Sequence, residues 1–270
     1  MNGYPRPVRA FLGAVLLCSS LPALAQSASG QPAEPEVKEI PIEVPDPTPT
    51  GLLIAWKPSI LSVRVDSGTG AKFGSDSLEP LRGLARFTFR VRHDKPFFGR
   101  FELEGGRFET ENLGLGSSGV DWTFRALAGA ATRISAGVVL VASAGLITRY
   151  EVGRSANGAP TIGVFGFDSN IELSMRLFPT ITISGYLEGA ITPFPYLAQS
   201  NLGDLSDADQ VRARFQVSID ITRSAAMDFG YDFTRWHAVF TNASILPTTD
   251  RALIIETREH AATFGVRYRL

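Results

Sequence analysis

Apolar and polar residues alternate one for one along most of this chain. Residues 164–177 set Phe165, Phe167, Ile171, Leu173, Met175 and Leu177 against Asp168, Asn170, Glu172, Ser174 and Arg176. Residues 181–191 oppose Ile181, Ile183, Leu187 and Ile191 to Thr182, Ser184, Tyr186 and Glu188. In residues 211–222 the apolar side is Val211, Ala213, Phe215, Val217, Ile219 and Ile221, and Arg212, Arg214, Gln216, Ser218, Asp220 and Thr222 lie between. Met227, Phe229, Tyr231 and Phe233 then face away from Asp228, Gly230, Asp232 and Thr234. A period of two puts each set on its own face of a β-strand.

The same pattern starts at about residue 59, with Leu61, Val63 and Val65 against Ser62, Arg64 and Asp66. It continues as Ala85, Phe87, Phe89 and Val91 against Arg86, Thr88, Arg90 and Arg92, and as Phe101 and Leu103 against Glu102 and Glu104. Segments 122–131 and 136–149 are rich in Ala, Gly and Val and alternate weakly, so the register of the fourth and fifth strands is open. The chain ends on "HAATFGVRYRL", where Phe264, Val266, Tyr268 and Leu270 oppose Thr263, Gly265, Arg267 and Arg269. The pattern predicts ten strands, and the two weak segments leave eight or twelve open.

The connections between these strands alternate in length. Long ones (67–82, 106–121, 151–160, 193–210, 237–257) follow short ones ("HDKP", "ATRIS", "FPT", "RSA") in strict turn. If the first strand begins in the periplasm, every short connection is a periplasmic turn and every long one an outer loop. That asymmetry, with an even strand count, belongs to an antiparallel up-and-down transmembrane β-barrel. Aromatics reinforce it. Trp122, Tyr150, Phe165, Phe194, Tyr196 and Trp236 fall at the long-loop ends, and Phe97, Phe98, Phe178 and Tyr268 at the short-turn ends, as two interfacial belts would require. A soluble barrel with its charged face outside fits the periodicity alone, but not the sorted loops and the belts.

The N-terminus supplies an address. Arg6 and Arg9 precede the apolar run Phe11–Leu17, and Ala23-Leu24-Ala25 is a small-x-small cleavage signature, so residues 1–25 read as a secretory signal peptide. Cys18 is the one cysteine and lies inside that peptide; Leu17 stands where a lipidation signal has a small residue. Residues 26–50 are rich in Pro, Ser and acidic side chains and read as an extended periplasmic linker, with "VKEIPIEV" a segment that could add as a strand to a periplasmic partner. The barrel then spans residues 51–270. A net charge of −1 gives no basic surface for nucleic acid.

With these residues in view, the chain resembles Gram-negative outer-membrane β-barrel proteins. The resemblance rests on the signal peptide, the strand pattern and the ending Phe264-x-Val266-x-Tyr268-x-Leu270, where Leu270 replaces the usual terminal aromatic. It implies residence in the outer membrane, contact with its lipids, and recognition of the last strand by the barrel assembly machinery. Ten strands is the size of the omptin proteases; small porin-like and adhesin barrels are near neighbours.

Candidate chemistry is thin. The polar faces carry opposite signs on adjacent strands: Arg86, Arg90 and Arg92 beside Glu102 and Glu104, Glu188 beside Arg212 and Arg214, and Asp228 and Asp232 beside Arg267 and Arg269. Asp168, Glu172, Arg176 and Asp220 complete the set. In a narrow lumen such charges are expected to pair into a plug, or at most to line a narrow solute pore. An omptin-like protease would need an Asp–His couple facing an Asp pair across the outer rim. His237, with Asp204, Asp207 and Asp209 in the loop before strand eight, is the nearest approach, and no tight motif joins them; none of the three histidines, in the contexts "HDK", "HAV" and "HAA", sits in a His-x-Ser pair. The loop "NLGDLSDADQ" lacks the spaced ligand register of a Ca²⁺ site. The expectation is a non-enzymatic barrel, structural or a narrow passive pore, with no catalytic, cofactor-binding or metal-binding residues and no cofactor. Surface adhesion or interaction through the five outer loops is the alternative, with an omptin-like outer-membrane protease ranked behind it.

Overall fold

In a computed structural model the described residues are 50–67, 77–92, 96–109, 118–154, 161–198, 203–242 and 252–270. The signal-peptide and linker assignments, Cys18 and His93 lie outside them, as do the side chains of Arg92 and Tyr196. Ten antiparallel strands form one closed barrel: β1 (Gly51–Ser67), β2 (Ser77–Arg92), β3 (Phe97–Glu109), β4 (Ser118–Ser135), β5 (Val138–Arg154), β6 (Thr161–Phe178), β7 (Ile181–Ala198), β8 (Asp204–Asp220), β9 (Ala225–Thr241) and β10 (Ala252–Arg269). Each strand pairs with its sequence neighbours, and β1 pairs with β10 from Gly51↔Arg269 to Ser67↔Leu253, so no edge is left open. The last strand thus closes the barrel against the first, and its ladder extends to the penultimate residue.

The faces are inverted relative to a soluble protein. Ile54 and Trp56 are 51% and 54% exposed, whereas Lys57, next to Trp56, and Arg212 across the lumen are 0% exposed. Lipid is the only solvent that makes such an arrangement stable. The parities expected for β2, β3 and β6–β10 hold: Phe87, Phe101, Phe167, Leu187, Phe215, Tyr231 and Phe264 face out, and Arg86, Glu102, Asp168, Glu188, Arg212, Asp232 and Thr263 are buried. The structure also settles the weak pair. On β4 Arg125, Leu127 and Ala131 point inward, and on β5 Val139, Val141, Ser143 and Ile147 do.

Three expectations are corrected. First, β1 begins at Gly51 rather than near residue 59, because "GLLIAWKPSI" is apolar on both parities and hides its alternation. Secondly, the fourth–fifth turn falls at Ala136–Gly137, after "ATRIS" rather than on it. Thirdly, the outer connections are shorter than expected, because the strands continue past the sequence signal. The connection after β7 runs from 199 to 203, so Asp204, Asp207 and Asp209 are strand residues of β8, and His237 lies within β9.

Those extra residues have a physical explanation. A strand needs about 9–11 residues to cross a bilayer, and β9 and β10 have 17 and 18. Toward their outer ends the two faces exchange character. On β9 the outward series Met227, Phe229, Tyr231 and Phe233 gives way to Arg235 and His237, while the inward series Asp228 and Asp232 gives way to Trp236, Ala238 and Phe240. On β8 the outward change falls between Val211 and Asp209, and on β10 it falls at Arg258 and Glu256. Below that level the barrel is built for lipid, and above it the wall is built like a water-soluble protein.

The level of exchange is testable. Phe215→Arg, within the lipid-facing band, should cost about 2–4 kcal/mol in reversible unfolding from bilayers, and Asp207→Arg, above it, about 1 kcal/mol or less. Equal costs would contradict this placement.

Candidate functional site

Among the described residues, the largest convergence of charged side chains lies in the lumen. Parity delivers one or two long charged side chains from most strands to the same level, and the barrel is narrow enough for them to meet in the middle. Lys57 on β1 donates from Nζ to Glu104 on β3 at 2.8 Å and lies 3.2 Å from Asp232 on β9. Arg86 on β2 donates through Nε to Glu104 at 2.6 Å and through Nη2 to Asp232. Arg212 on β8 reaches across the lumen to Glu102 (2.9 Å), Glu104 (2.8 Å) and Asp232 (2.9 Å). Arg214 takes the second oxygen of Asp232 at 2.8 Å.

On the other side Arg125 of β4 donates to Glu102 at 2.9 Å and to Glu188 of β7 at 3.1 Å, with Asp168 of β6 at 3.3 Å. Glu188 also accepts from Tyr186 at 2.7 Å and from Gln210 at 3.0 Å. Lys57, Arg86, Arg125, Arg212 and Arg214 thus interlock with Glu102, Glu104, Asp168, Glu188 and Asp232 in one layer spanning the bore. Removing such charges from water is costly, and only this dense mutual pairing offsets it.

Apolar side chains stopper the lumen outside that layer. Ile162, Val164, Ala208, Trp236, Ala238, Phe240, Leu253 and Ile255 form a buried cluster at the outer end. The guanidinium of Arg149 sits 4.8 Å over the Trp236 ring. A second cluster, Phe98, Ala131, Val139 and Val141, fills one side of the inner end. Trp236 and Phe98 therefore leave the interfacial belts assigned to them and become lumen core. Trp122, Phe165 and Phe194 remain lipid-facing toward the outer side, and Phe97, Phe178 and Tyr268 at the turn side. Tyr196 lies outside the described side chains.

The strand-by-strand charge sorting is realised in part. Arg86–Glu104, Arg212–Glu188 (3.9 Å) and Arg267–Asp228 (2.9 Å) join neighbouring strands as expected. The contacts that close the bore (Arg86–Asp232, Arg212–Glu102 and Arg125–Glu188) cross the lumen, which no ladder rule foresees. Lys57, Arg100 and Arg125 escaped sequence reasoning. Lys57 sits in an apolar run, Arg100 follows the turn too closely, and Arg125 lies in the weak fourth strand. Arg90 and Glu172 (3.4 Å), with Arg176, Arg269 and Asp220, form a looser set toward the inner turns.

Among the described residues, the outer rim brings together an Asp–His couple. Asp209 and His237 are register partners on β8 and β9, with Oδ2 3.6 Å from Nδ1. Both point to the outer surface of the wall, away from a lumen that is apolar at this level. Arg235 and Arg258 hold Glu256 beside them at 2.8 and 2.7 Å. The Asp209 carboxylate raises the His237 pKa above its ordinary value, and partial burial opposes that shift. Among the described residues no group of three or more His, Cys, Asp or Glu side chains is arranged to hold a metal.

A closed antiparallel barrel of ten strands, lipid-facing outside and ion-paired inside, is the fold of the outer-membrane β-barrels. No family model matches the chain, and no curated protein matches it. Among solved structures it is similar to the outer membrane protease OmpT from Escherichia coli, with TM-score 0.50 and 10% identity over 85% of this chain and 100% of that one. It also aligns with the outer membrane protein OprG from Pseudomonas aeruginosa (TM-score 0.36, 9% identity, 83% of this chain and 98% of that one). A third alignment is with the toluene transporter TodX from P. putida (TM-score 0.36, 9% identity, 83% and 91%). Identities this low speak to the fold alone.

Two outcomes follow from the site. Arg212→Met removes one shared cation from three buried carboxylates and should cost roughly 3–5 kcal/mol of unfolding free energy, read in bilayers against the wild type. His237 has a raised folded pKa, so its stabilising contact with Asp209 is complete below pH of about 6.5 and is lost as pH rises through the folded value. Asp209→Asn should bring the His237 titration, followed by NMR, back toward about 6.5. An unchanged titration would show that the pair does not interact.

Proposed function

We propose that this chain is a sealed, non-enzymatic barrel of the Gram-negative outer membrane, a structural anchor that presents its outer rim and five outer connections at the cell surface. The observation that carries this reading is the filled bore. Three successive layers (apolar stopper, ion-paired plug and partial apolar floor) occupy the lumen, and the central cations are fully buried. Against a passive pore, the cross-lumen pairs leave no continuous column of solvated charge through the plug, and the layer has no dominant sign to select an ion. The outward aim of Asp209 and His237 supports a non-enzymatic role, because a couple facing away from the mouth cannot act on a substrate held there.

Secretion through residues 1–25, outer-membrane insertion directed by the last strand, and tethering or partner binding by residues 26–50 belong to the same proposal. The charged strip above the lipid band supports a role in surface interaction, since Arg235, His237, Glu256 and Arg258 stand on the paired strands β9 and β10.

Conductance of the purified, heat-modifiable protein in a planar bilayer tests the seal. The wild type should be silent. Reproducible single-channel steps from the folded protein would replace the sealed barrel with a pore.

A further inference from the structure

Below the ion-paired layer the lumen becomes wetter. Arg90, Glu172, Ser184, Gln216, Asp228 and Arg267 face inward from β2, β6, β7, β8, β9 and β10. The side chains of Arg90 and Arg267 are 17% and 29% exposed, whereas that of Arg86, four residues from Arg90 on the same strand, is fully buried. The apolar stopper closes the outer end, so the water reaching Arg90 and Arg267 comes from the end with the tight turns. Water therefore enters this part of the bore from one end, beside the Phe98 ring over which the Arg90 guanidinium lies at 5.1 Å.

Its charge is unbalanced. Glu172 and Asp228 are the carboxylates that face Arg90, Arg100 and Arg267 at this level. Arg90 reaches that carboxylate with one long contact of 3.4 Å. Arg267 is paired with Asp228 at 2.9 Å, and Arg214 is committed upward to Asp232. Arg100 donates to the Tyr186 hydroxyl at 2.8 Å, and its guanidinium packs 5.2 Å over the same ring, as that of Arg214 does at 4.8 Å. At the mouth Arg176 and Arg269 share the one carboxylate of Asp220. Arg90, Arg100, Arg267, Arg176 and Arg269 together face Glu172, Asp228 and Asp220, five guanidiniums to three carboxylates, and that net excess draws anions toward the floor of the plug.

Two buried donors point the same way. Nε of Arg100 is shielded from solvent and has no hydrogen-bond acceptor, nor has the hydroxyl of Thr88 beside Arg90; Nη2 of Arg214 also makes no hydrogen bond and lies 3.8 Å from a Glu102 oxygen. A cationic N–H buried without an acceptor costs more than a neutral one. An oxyanion satisfies such a set, because its oxygens match the planar fork of a guanidinium.

We propose that the inner half of the lumen is an anion-binding chamber that takes a small carboxylate- or phosphate-bearing solute against Arg90, Arg100 and Arg267. The inference draws on the sealed-barrel reading only for the compartment that supplies the ligand, namely the periplasm; the chamber itself does not depend on it.

Isothermal titration of the full chain folded in zwitterionic micelles, with inorganic phosphate and with citrate in separate runs at constant ionic strength in chloride, tests the proposal. At least one anion should bind saturably at one site per chain, and the active one assigns the chemistry. Arg90→Gln and Arg267→Gln should each weaken binding about tenfold. Arg258→Gln, on the outer wall, should leave it unchanged. Arg90→Lys, which keeps the charge, should retain most of the affinity, and a heat-modifiable gel shift confirms that each variant is folded. No saturable binding of either anion to the folded wild type overturns the proposal, as does equal weakening by Arg258→Gln. Bilayer conductance reports on the seal and this titration on the chamber, so either can fail without the other.

Discussion

The cost of a buried charge governs this molecule. A narrow barrel in lipid has an interior that water barely enters, and parity forces half of each strand to point there. An arginine or glutamate at such a position is tolerable only if it meets its opposite. Arg212 shows the consequence: one guanidinium ties Glu102 and Glu104 of β3 and Asp232 of β9 to β8. Strands far apart in sequence are held at a fixed separation by these contacts, so the plug sets the bore as much as the backbone ladder does.

The second constraint is the change of solvent along each strand. Where lipid ends, an apolar outer face becomes a liability and an apolar inner face becomes affordable. The wall responds by exchanging its faces at Asp209, Arg235 and Arg258. Trp236, Phe240 and Leu253 then form an ordinary hydrophobic core above the membrane level, each fully buried aliphatic or aromatic side chain contributing roughly 1.5–3 kcal/mol. The lipid-facing aromatics Trp56, Phe229 and Phe264, with ring centroids 6.1 Å apart, lie below that core on the opposite side of the wall.

Much of this architecture is legible in the sequence because a transmembrane strand writes its two faces into alternate residues. Phe215 against Arg214 and Phe264 against Thr263 need no structure to place. Three kinds of residue escape that logic. Lys57 is hidden because its neighbours on both parities are apolar, Arg125 because alanine and glycine blur the contrast around it. Trp236 is placed on the wrong face because the pattern that puts aromatics outside in lipid puts them inside above it. The same exchange makes the outer strands read as long loops, which is why Asp204–Asp209 was expected in a connection and His237 at the edge of one. Cross-lumen partners are invisible to any one-dimensional pattern, since barrel radius decides who meets whom.

A wall with apolar rings outside, ionic pairing at its centre and a dry stopper at its outer end suits a rigid anchor, and its inner end suits a receptor for small anions. Both depend on the plug being a mutually paired network rather than a set of independently solvated charges. The most direct measurement is a double-mutant cycle on Arg212 and Glu102, using Arg212→Met, Glu102→Gln and the double variant, read from reversible unfolding in bilayers. The paired network predicts a coupling energy toward the upper end of the usual range, about 3 kcal/mol; additive effects, with coupling near zero, would contradict it.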